Sequence, residues 1–483
     1  MISFVINRAS LRQFFASVLL YLIGCLVSVL VAMAIGDIWL LALYMSGGAA
    51  ALLTWRRMRW PDEWARYLSF GAVLLLMCAL NRLFYAADYL LPGARFDEWP
   101  FFANAPEVAV FKGEVITVLG TLFTVLSWSL AGGMHMSPSV LMDRRHASVP
   151  VLVVIYLMSL IGMAASQWSP LAAAKFGELL PTLLGLGIVS AFLLPMVKFG
   201  SGSARLAAVS VLSAPFVILA AGTGMKENMI LAVLPAALLA WRAFRHPVLR
   251  AGMLLAGLLA LAILTSYVNF FRTEVWQGDS DAATGFVVQN FVDEVQKVGV
   301  GESVAKGLEG FVGRSNASVH RGWAVSIADE QQFYPRLVFS PMVYVFIPRM
   351  LWPEKPLIRQ GWEYSGVVFG QQYITWSESS TAAGFYTSLY LGYGWLAFGF
   401  GAVLVGVLLA GMTKMAQRFG GAFAAGLYIF AMLPFMLRLD ETWAVGALSG
   451  PVITLAYVLA IVGFARMLAV VMLPLRRSGA GVR

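Results

Sequence analysis

Charge is scarce in this sequence. Only 12% of its 483 residues are Asp, Glu, Lys or Arg, against about 25% in a soluble domain, and that excludes an ordinary soluble fold. Cysteine is scarcer still. Cys25 and Cys78 both fall in apolar runs, where they read as small buried hydrophobes and give no basis for a disulfide framework or a thiolate metal site. No P-loop, dinucleotide fingerprint or HExxH occurs, which counts against an ATPase, a Rossmann enzyme and a zinc protease. The short alternating segments of a membrane β-barrel are missing, and so is any internal repeat. The net charge is +9, but the basic residues are scattered and no reader motif accompanies them, so no nucleic-acid partner is expected.

What the chain does have is apolar length. Hydrophobic residues make up 60% of it and the mean hydropathy is +0.78. Apolar runs of about 18 to 25 residues recur along it, the signature of an all-α polytopic membrane protein. The run at 13–34 is too long for a signal-peptide core and reads as a retained span. Further spans are expected at 38–54, from 67, and at 115–134, 149–165, 180–197, 206–221, 229–239 and 251–271. After a long polar segment, one span crosses back by Lys414, another covers 422–437 and a last one covers 445–471. Lys and Arg collect in alternate loops, so the basic loops and both termini are assigned to the cytoplasm, with about 12 transmembrane helices in all. The organisation expected is 1–271 with about nine spans, 272–381 as one long outer segment, and 382–483 with about three spans.

The outer segment is about 110 residues long, too long to lack structure of its own. Stretches 285–298 and 302–313 repeat apolar residues at helical spacing, with Phe286, Val287, Phe291 and Val295 on one side and Asp293, Glu294 and Lys297 between them. These read as short amphipathic helices lying on the outer membrane surface or capping a cavity. The apolar run 337–347 is too short and proline-broken to span, which leaves a dip into the membrane and back. The segment's most distinctive stretch is IPRMLWPEKP at 347–356. Pro348, Pro353 and Pro356 prevent an uninterrupted helix. Arg349 and Lys355 offer cations suited to phosphate oxygens, and Trp352 offers an indole face suited to a sugar ring.

That stretch resembles the PR-x-x-W-P-x-K-P motif in the late periplasmic loop of bacterial Wzy-type O-antigen and exopolysaccharide repeat-unit polymerases. STAAGFYTSLYLGYGWLAFGFGAVLVGVLLAG at 380–411 is similar to that family's return segment, and GTGMKENMI at 222–230 to its short glycine turn, with Lys226 where arginine is common. The resemblance implies a GT-C-like membrane glycosyltransferase in the bacterial inner membrane. Such an enzyme joins undecaprenyl-diphosphate-linked oligosaccharides on the periplasmic face, needs no metal or other cofactor, and partners a chain-length regulator by family analogy.

That chemistry asks for cations at a diphosphate leaving group, a base for the acceptor hydroxyl, and surfaces for sugar rings. Arg349 and Lys355 lead as diphosphate ligands, followed by Arg272, Lys226, Arg82, Arg314 and Arg336. Interfacial snorkelling is the plain alternative for the cations near span ends. Arg82 directly follows an apolar run, and a charge at span depth costs about 2.5–3.5 kcal/mol when central, so it calls for a cavity or a partner. Arg349, Glu378, Glu363 and His320 are the catalytic candidates; outside such a role, His320 beside Arg321 reads as a solvated loop residue. Trp352, Trp362 and Trp376 are the sugar-stacking candidates, and interfacial anchoring is their alternative. Two rivals remain. An O-antigen ligase-like transferase shares the topology and differs in acceptor. A lipid-linked oligosaccharide flippase or other transporter would carry charges deep in several spans and no large outer segment.

Overall fold

The computed structural model describes residues 78, 105–131, 149–169, 179–199, 202–222, 226–244, 246–271, 284–315, 318–330, 332–347, 351–352, 354–356, 358–369, 382–437 and 442–472. The spans expected at 13–34, 38–54 and from 67 lie outside the described residues, as does Cys25. Cys78 is described, and it is helical and buried.

Every regular element among the described residues is a helix. They are α1 (Glu107–Leu130), α2 (Val149–Trp168), α3 (Leu180–Lys198), α4 (Gly202–Ala221), α5 (Lys226–Ala243), α6 (Pro247–Phe271), α7 (Thr284–Val298), α8 (Val300–Ser315), α9 (Ser318–Asp329), α10 (Pro335–Phe339), α11 (Gln360–Phe369), α12 (Phe385–Leu437) and α13 (Ala444–Met472), with a 3-10 turn at Ser340–Val343. Six of them, α1, α2, α4, α6, α12 and α13, are long and apolar enough to cross a membrane. Shorter apolar helices cover Leu180–Met196 and Asn228–Trp241. The chain therefore has transmembrane character, and its described regular elements are all helical.

Most observed helix ends coincide with the expected ones or lie a few residues beyond them, while the helix expected at 115–134 is Glu107–Leu130, starting earlier and ending sooner. One difference is larger. The spans expected to turn at Lys414 form one continuous helix of 53 residues, about 80 Å at 1.5 Å per residue. That is more than twice the apolar thickness of a bilayer. Its spanning window, Phe385–Met412, ends two residues before Lys414. The sequence carries a stop pattern there, Lys414 and Arg418 followed by Gly420 and Gly421, and the helix runs through it.

The chain forms two compact units. The first comprises Met1–Met142, Val312–Ala425 and Phe435–Leu455. In it, α1 lies close against α12 through small residues: a Cβ on Gly120 would strike the Tyr386 ring, and one on Gly406 would strike the Thr124 carbonyl. Small residues let membrane helices approach and bond across their backbones. The Thr124 hydroxyl donates to the Ala402 carbonyl at 3.0 Å, and the Tyr386 hydroxyl donates to Thr124 Oγ1 at 3.1 Å.

The second unit comprises Asp143–Phe311, Gly426–Pro434 and Ala456–Arg483. Here α2 to α6 pack in sequence. Tyr156 donates to the Leu212 carbonyl at 3.0 Å, and its ring meets Phe216 edge-on at 5.5 Å. Arg205 and Arg250 each reach back six residues, donating Nε to the Phe199 carbonyl at 2.7 Å and the Phe244 carbonyl at 2.9 Å. These guanidinium groups satisfy carbonyls just past the preceding helix ends, where cations suit the helix dipole.

The long segment contributes to both units. The helices expected at 285–298 and 302–313 are α7 and α8. The apolar side of α7 meets protein: Val287 is buried with Ala220, Met229, Tyr267, Val268 and Phe271, and the Phe291 ring lies 5.4 Å from Tyr267 and 5.7 Å from Phe270. Gly299, at φ +96°, joins α7 to α8 in the left-handed region that favours glycine. In α8 the bare Gly307 faces the Ala262 carbonyl, and Ser266 donates to the Ser303 carbonyl at 2.6 Å. The run 337–347, expected as a dip, is the end of α10, the 3-10 turn, three turn residues and a bend at Ile347. Pro335 opens the helix and Pro341 lies in the 3-10 turn.

Candidate functional site

The first unit gathers charge where α1, α9 and the start of α12 meet. Glu114 of α1 and Arg321 of α9 are 1% and 3% exposed at the side chain and form a buried ion pair. Arg321 Nε donates to Glu114 Oε1 at 2.8 Å and Nη2 donates to the same oxygen at 2.5 Å. Glycines bring the helices this close. A Cβ on Gly113 would sit 3.2 Å from the Arg321 backbone carbon, and one on Gly322 would meet Val110. A buried pair adds little net stability over apolar groups of the same shape, but losing one partner strands the other at a cost of about 3–5 kcal/mol. The pair therefore fixes the register of α9 on α1.

Nearer the start of α1, Lys112 contacts Asp329, the last residue of α9, at 2.5 Å. The Tyr390 hydroxyl donates to the same Asp329 Oδ1 at 2.7 Å. Lys112 Nζ lies 5.0 Å from the Tyr390 ring centroid and 5.9 Å from that of Trp395, and the two rings meet edge-on at 5.2 Å. Lys112 and Asp329 are 30% and 38% exposed, and Trp395 is 50% exposed, so this cluster opens outward while the Glu114–Arg321 pair is sealed. Tyr390 and Trp395 are five residues apart, a spacing that does not share one side of a regular helix. Between them Gly394 takes φ +62°, and the Leu391 carbonyl accepts the Tyr334 backbone N–H from outside the helix at 3.0 Å.

The expected site residues fall in several places. Arg82, Arg272, Arg349, Trp376 and Glu378 lie outside the described residues. Lys226 opens α5 and Arg314 lies near the end of α8; their side chains also lie outside what is described. Arg336, in α10, is exposed, as is Glu363 in α11. Lys355 is 5% exposed and donates Nζ to the Ile347 carbonyl at 2.8 Å and the Val345 carbonyl at 3.2 Å. It holds the proline-rich turn to the segment before it. Trp352 is 37% exposed, with its ring edge-on to Tyr344 at 6.4 Å. Trp362 is partly buried, with the Arg359 guanidinium 5.0 Å over its ring.

His320 is a residue of helix α9, partly buried with Nδ1 screened from solvent, and not a solvated loop residue. Burial, and then the adjacent Arg321 charge, hold its pKa down at about 4. Its carbonyl accepts the hydroxyl of the fully buried Tyr364 at 2.5 Å. Burial pushes that phenol well above its ordinary range, and its ring packs edge-on against Trp443 at 5.4 Å.

Sequence reasoning missed Glu114, Lys112, Asp329, Tyr390 and Trp395. One signal was present: Glu114 abuts an apolar run, and a carboxylate there needs a partner. The pairing of Lys112 with Asp329 spans 217 positions and leaves no local trace. Among the described residues no group of three or more His, Cys, Asp and Glu side chains is placed to hold a metal ion.

No curated protein and no solved structure matches the chain. A family model does match, over residues 137–442, which takes in the last helices before the long segment, the whole segment, and α12. The chain belongs to the family defined by that model, the domain of unknown function DUF8712.

Proposed function

We propose that this protein is a repeat-unit polymerase of the Wzy type. It joins undecaprenyl-diphosphate-linked oligosaccharides on the periplasmic face of the bacterial inner membrane, through a GT-C-like arrangement of about 12 spans. The observation that carries the reading is the long segment itself. It lies between apolar helices, its described residues are mostly helical, and it anchors charged and aromatic side chains onto α1 and α12. A lipid-linked saccharide needs such a surface: an apolar path for the polyprenyl chain, cations for the diphosphate and aromatic faces for the sugars. The motif at 347–356 supports the same reading through its resemblance to the polymerase loop.

In the reaction, an acceptor hydroxyl oxygen bonds to the anomeric carbon of the growing chain. The bond from that carbon to the diphosphate breaks, its electron pair leaves with the polyprenyl diphosphate, and the acceptor proton passes to a base. Arg349 is assigned to the leaving diphosphate. Glu363 and Glu378 remain the candidate bases. The low pKa of His320 keeps it neutral at physiological pH, which suits a proton acceptor in charge state but makes it a weak one.

The test uses purified protein in nanodiscs with its lipid-linked repeat unit, chelator and no nucleotide. The expected product is a saccharide ladder that Arg349→Ala reduces at least about 100-fold, in line with the loss of one charge-stabilising group. No ladder from the wild type, with transfer of the same lipid across liposome membranes, would replace the polymerase with a transporter. A single transfer onto a different lipid acceptor, without a ladder, would point to the ligase-like transferase.

A further inference from the structure

We propose that Lys112, Asp329, Tyr390 and Trp395 form a saccharide-binding subsite that takes a sugar ring carrying adjacent hydroxyls. The proposal rests on the reading of the protein as an enzyme acting on lipid-linked saccharides, and adds the place where a sugar is held.

One feature of the cluster is not what stability alone would select. Asp329 sits at the C-terminal end of α9, where the helix dipole disfavours a carboxylate, and α9 has no basic residue of its own in its last turn. An exposed Lys–Asp pair contributes only about 0–1 kcal/mol, which does no more than offset the dipole. Beside the pair Trp395 is half exposed, and Gly394, in the left-handed conformation that glycine adopts freely, lies between the two aromatic residues in the chain.

The groups present suit a sugar. A carboxylate accepts from one hydroxyl while an ammonium 2.5 Å away donates to its neighbour. Tyr390 donates to Asp329 and holds the carboxylate in place. The half-exposed Trp395 indole offers an apolar face to the C–H side of a pyranose, and the buried Tyr390 ring, edge-on to it at 5.2 Å, supports it from behind. Lys112 is the sixth residue of α1 and Tyr390 the sixth of α12, so both lie one to two turns inside their helices, and α12 is the helix that follows the long outer segment. That is the depth at which a saccharide tethered to a membrane lipid would sit.

The experiment measures binding by calorimetry to the full chain in nanodiscs. The probes are the soluble oligosaccharide freed by mild acid from the producing cell's lipid-linked repeat unit and, separately, inorganic diphosphate. Asp329→Asn, which keeps the shape, and Trp395→Ala are each expected to weaken saccharide binding at least tenfold and to leave diphosphate binding within twofold. Trp395→Phe, which keeps a ring, is expected to recover part of the loss, and unchanged unfolding midpoints would confirm that the variants fold. Equal saccharide binding in wild type and variants overturns the proposal, and so does a wild type that does not bind. A loss confined to diphosphate makes the cluster an anion site and overturns it too. Saccharide binding that depends on the cluster, without a product ladder, keeps the subsite and removes the polymerase. A ladder unaffected by these variants keeps the polymerase and removes the subsite.

Discussion

Glu114 and Arg321 show how a single residue carries an arrangement here. With both charges screened from water, Arg321→Ala strands a carboxylate inside helix packing, and the expected cost is about 3–5 kcal/mol. Thermal unfolding in detergent would check it, and Glu114→Gln with Arg321→Met together should recover most of the loss. A single variant within 0.5 kcal/mol of wild type, roughly the scatter of neutral surface changes, would show that the pair does not hold α9 on α1. His320 adds a pH dependence. Its pKa is lowered from the ordinary 6.5 to about 4, so between those values the unfolded chain binds a proton that the folded chain does not. Its contribution to stability is present above about pH 6.5 and is lost as pH falls towards about 4, up to about 3 kcal/mol at 1.36 kcal/mol per unit. Unfolding midpoints from pH 7.5 down to pH 4.5 should fall, and less steeply in His320→Gln. The same slope in both proteins would remove His320 as the cause.

At the scale of the element, the helices of the long segment depend on partners. α7 has an apolar side because Val287 and Phe291 recur at helical spacing, and that side docks on Tyr267, Val268 and Phe270 at the end of α6. Gly307 brings α8 backbone to backbone with α6, so Gly307→Val should push α8 away. Limited proteolysis is expected to cut the variant within 284–315 several times faster than wild type, because protection there comes from docking rather than from helix propensity. Cleavage at the wild-type rate would mean that α8 keeps its structure without this contact. α12 is the opposite case. Its 53 assigned residues turn locally at the left-handed Gly394 but continue past Lys414, although the sequence marks an end to the apolar stretch there and follows it with Gly420 and Gly421, local signals that do not by themselves decide where a helix stops.

For the whole molecule, the alternation of basic loops predicts sides. In a background without Cys25 and Cys78, Arg144→Cys and Ser280→Cys should react with an impermeant maleimide from opposite faces of sealed vesicles. Labelling of both from one face would overturn the assignment of the long segment to the outside. The proposed function depends on that assignment, since a periplasmic polymerase needs its polar segment there. All-helical character and the place of six helices long and apolar enough to cross a membrane were legible in residue order, since apolar length is a local property. The candidate site was legible only in part. Residue order places His320 beside Arg321 but not in a helix where it is partly buried, and it does not show that Lys355 donates to the carbonyls of Val345 and Ile347.

The sequence by itself determined the solvent of this protein, the helical class, the existence of a long structured polar segment, and the amphipathic stretches within it. Each follows from the spacing of apolar and charged residues along the chain. Tertiary structure alone decided which charges meet. Glu114 finds Arg321 across 207 positions, and Lys112 finds Asp329 across 217. An ion pair depends on distance in space, which the chain's order does not encode. Glycines at Gly113, Gly322 and Gly394 set the close approaches and the left-handed turn that bring those groups together.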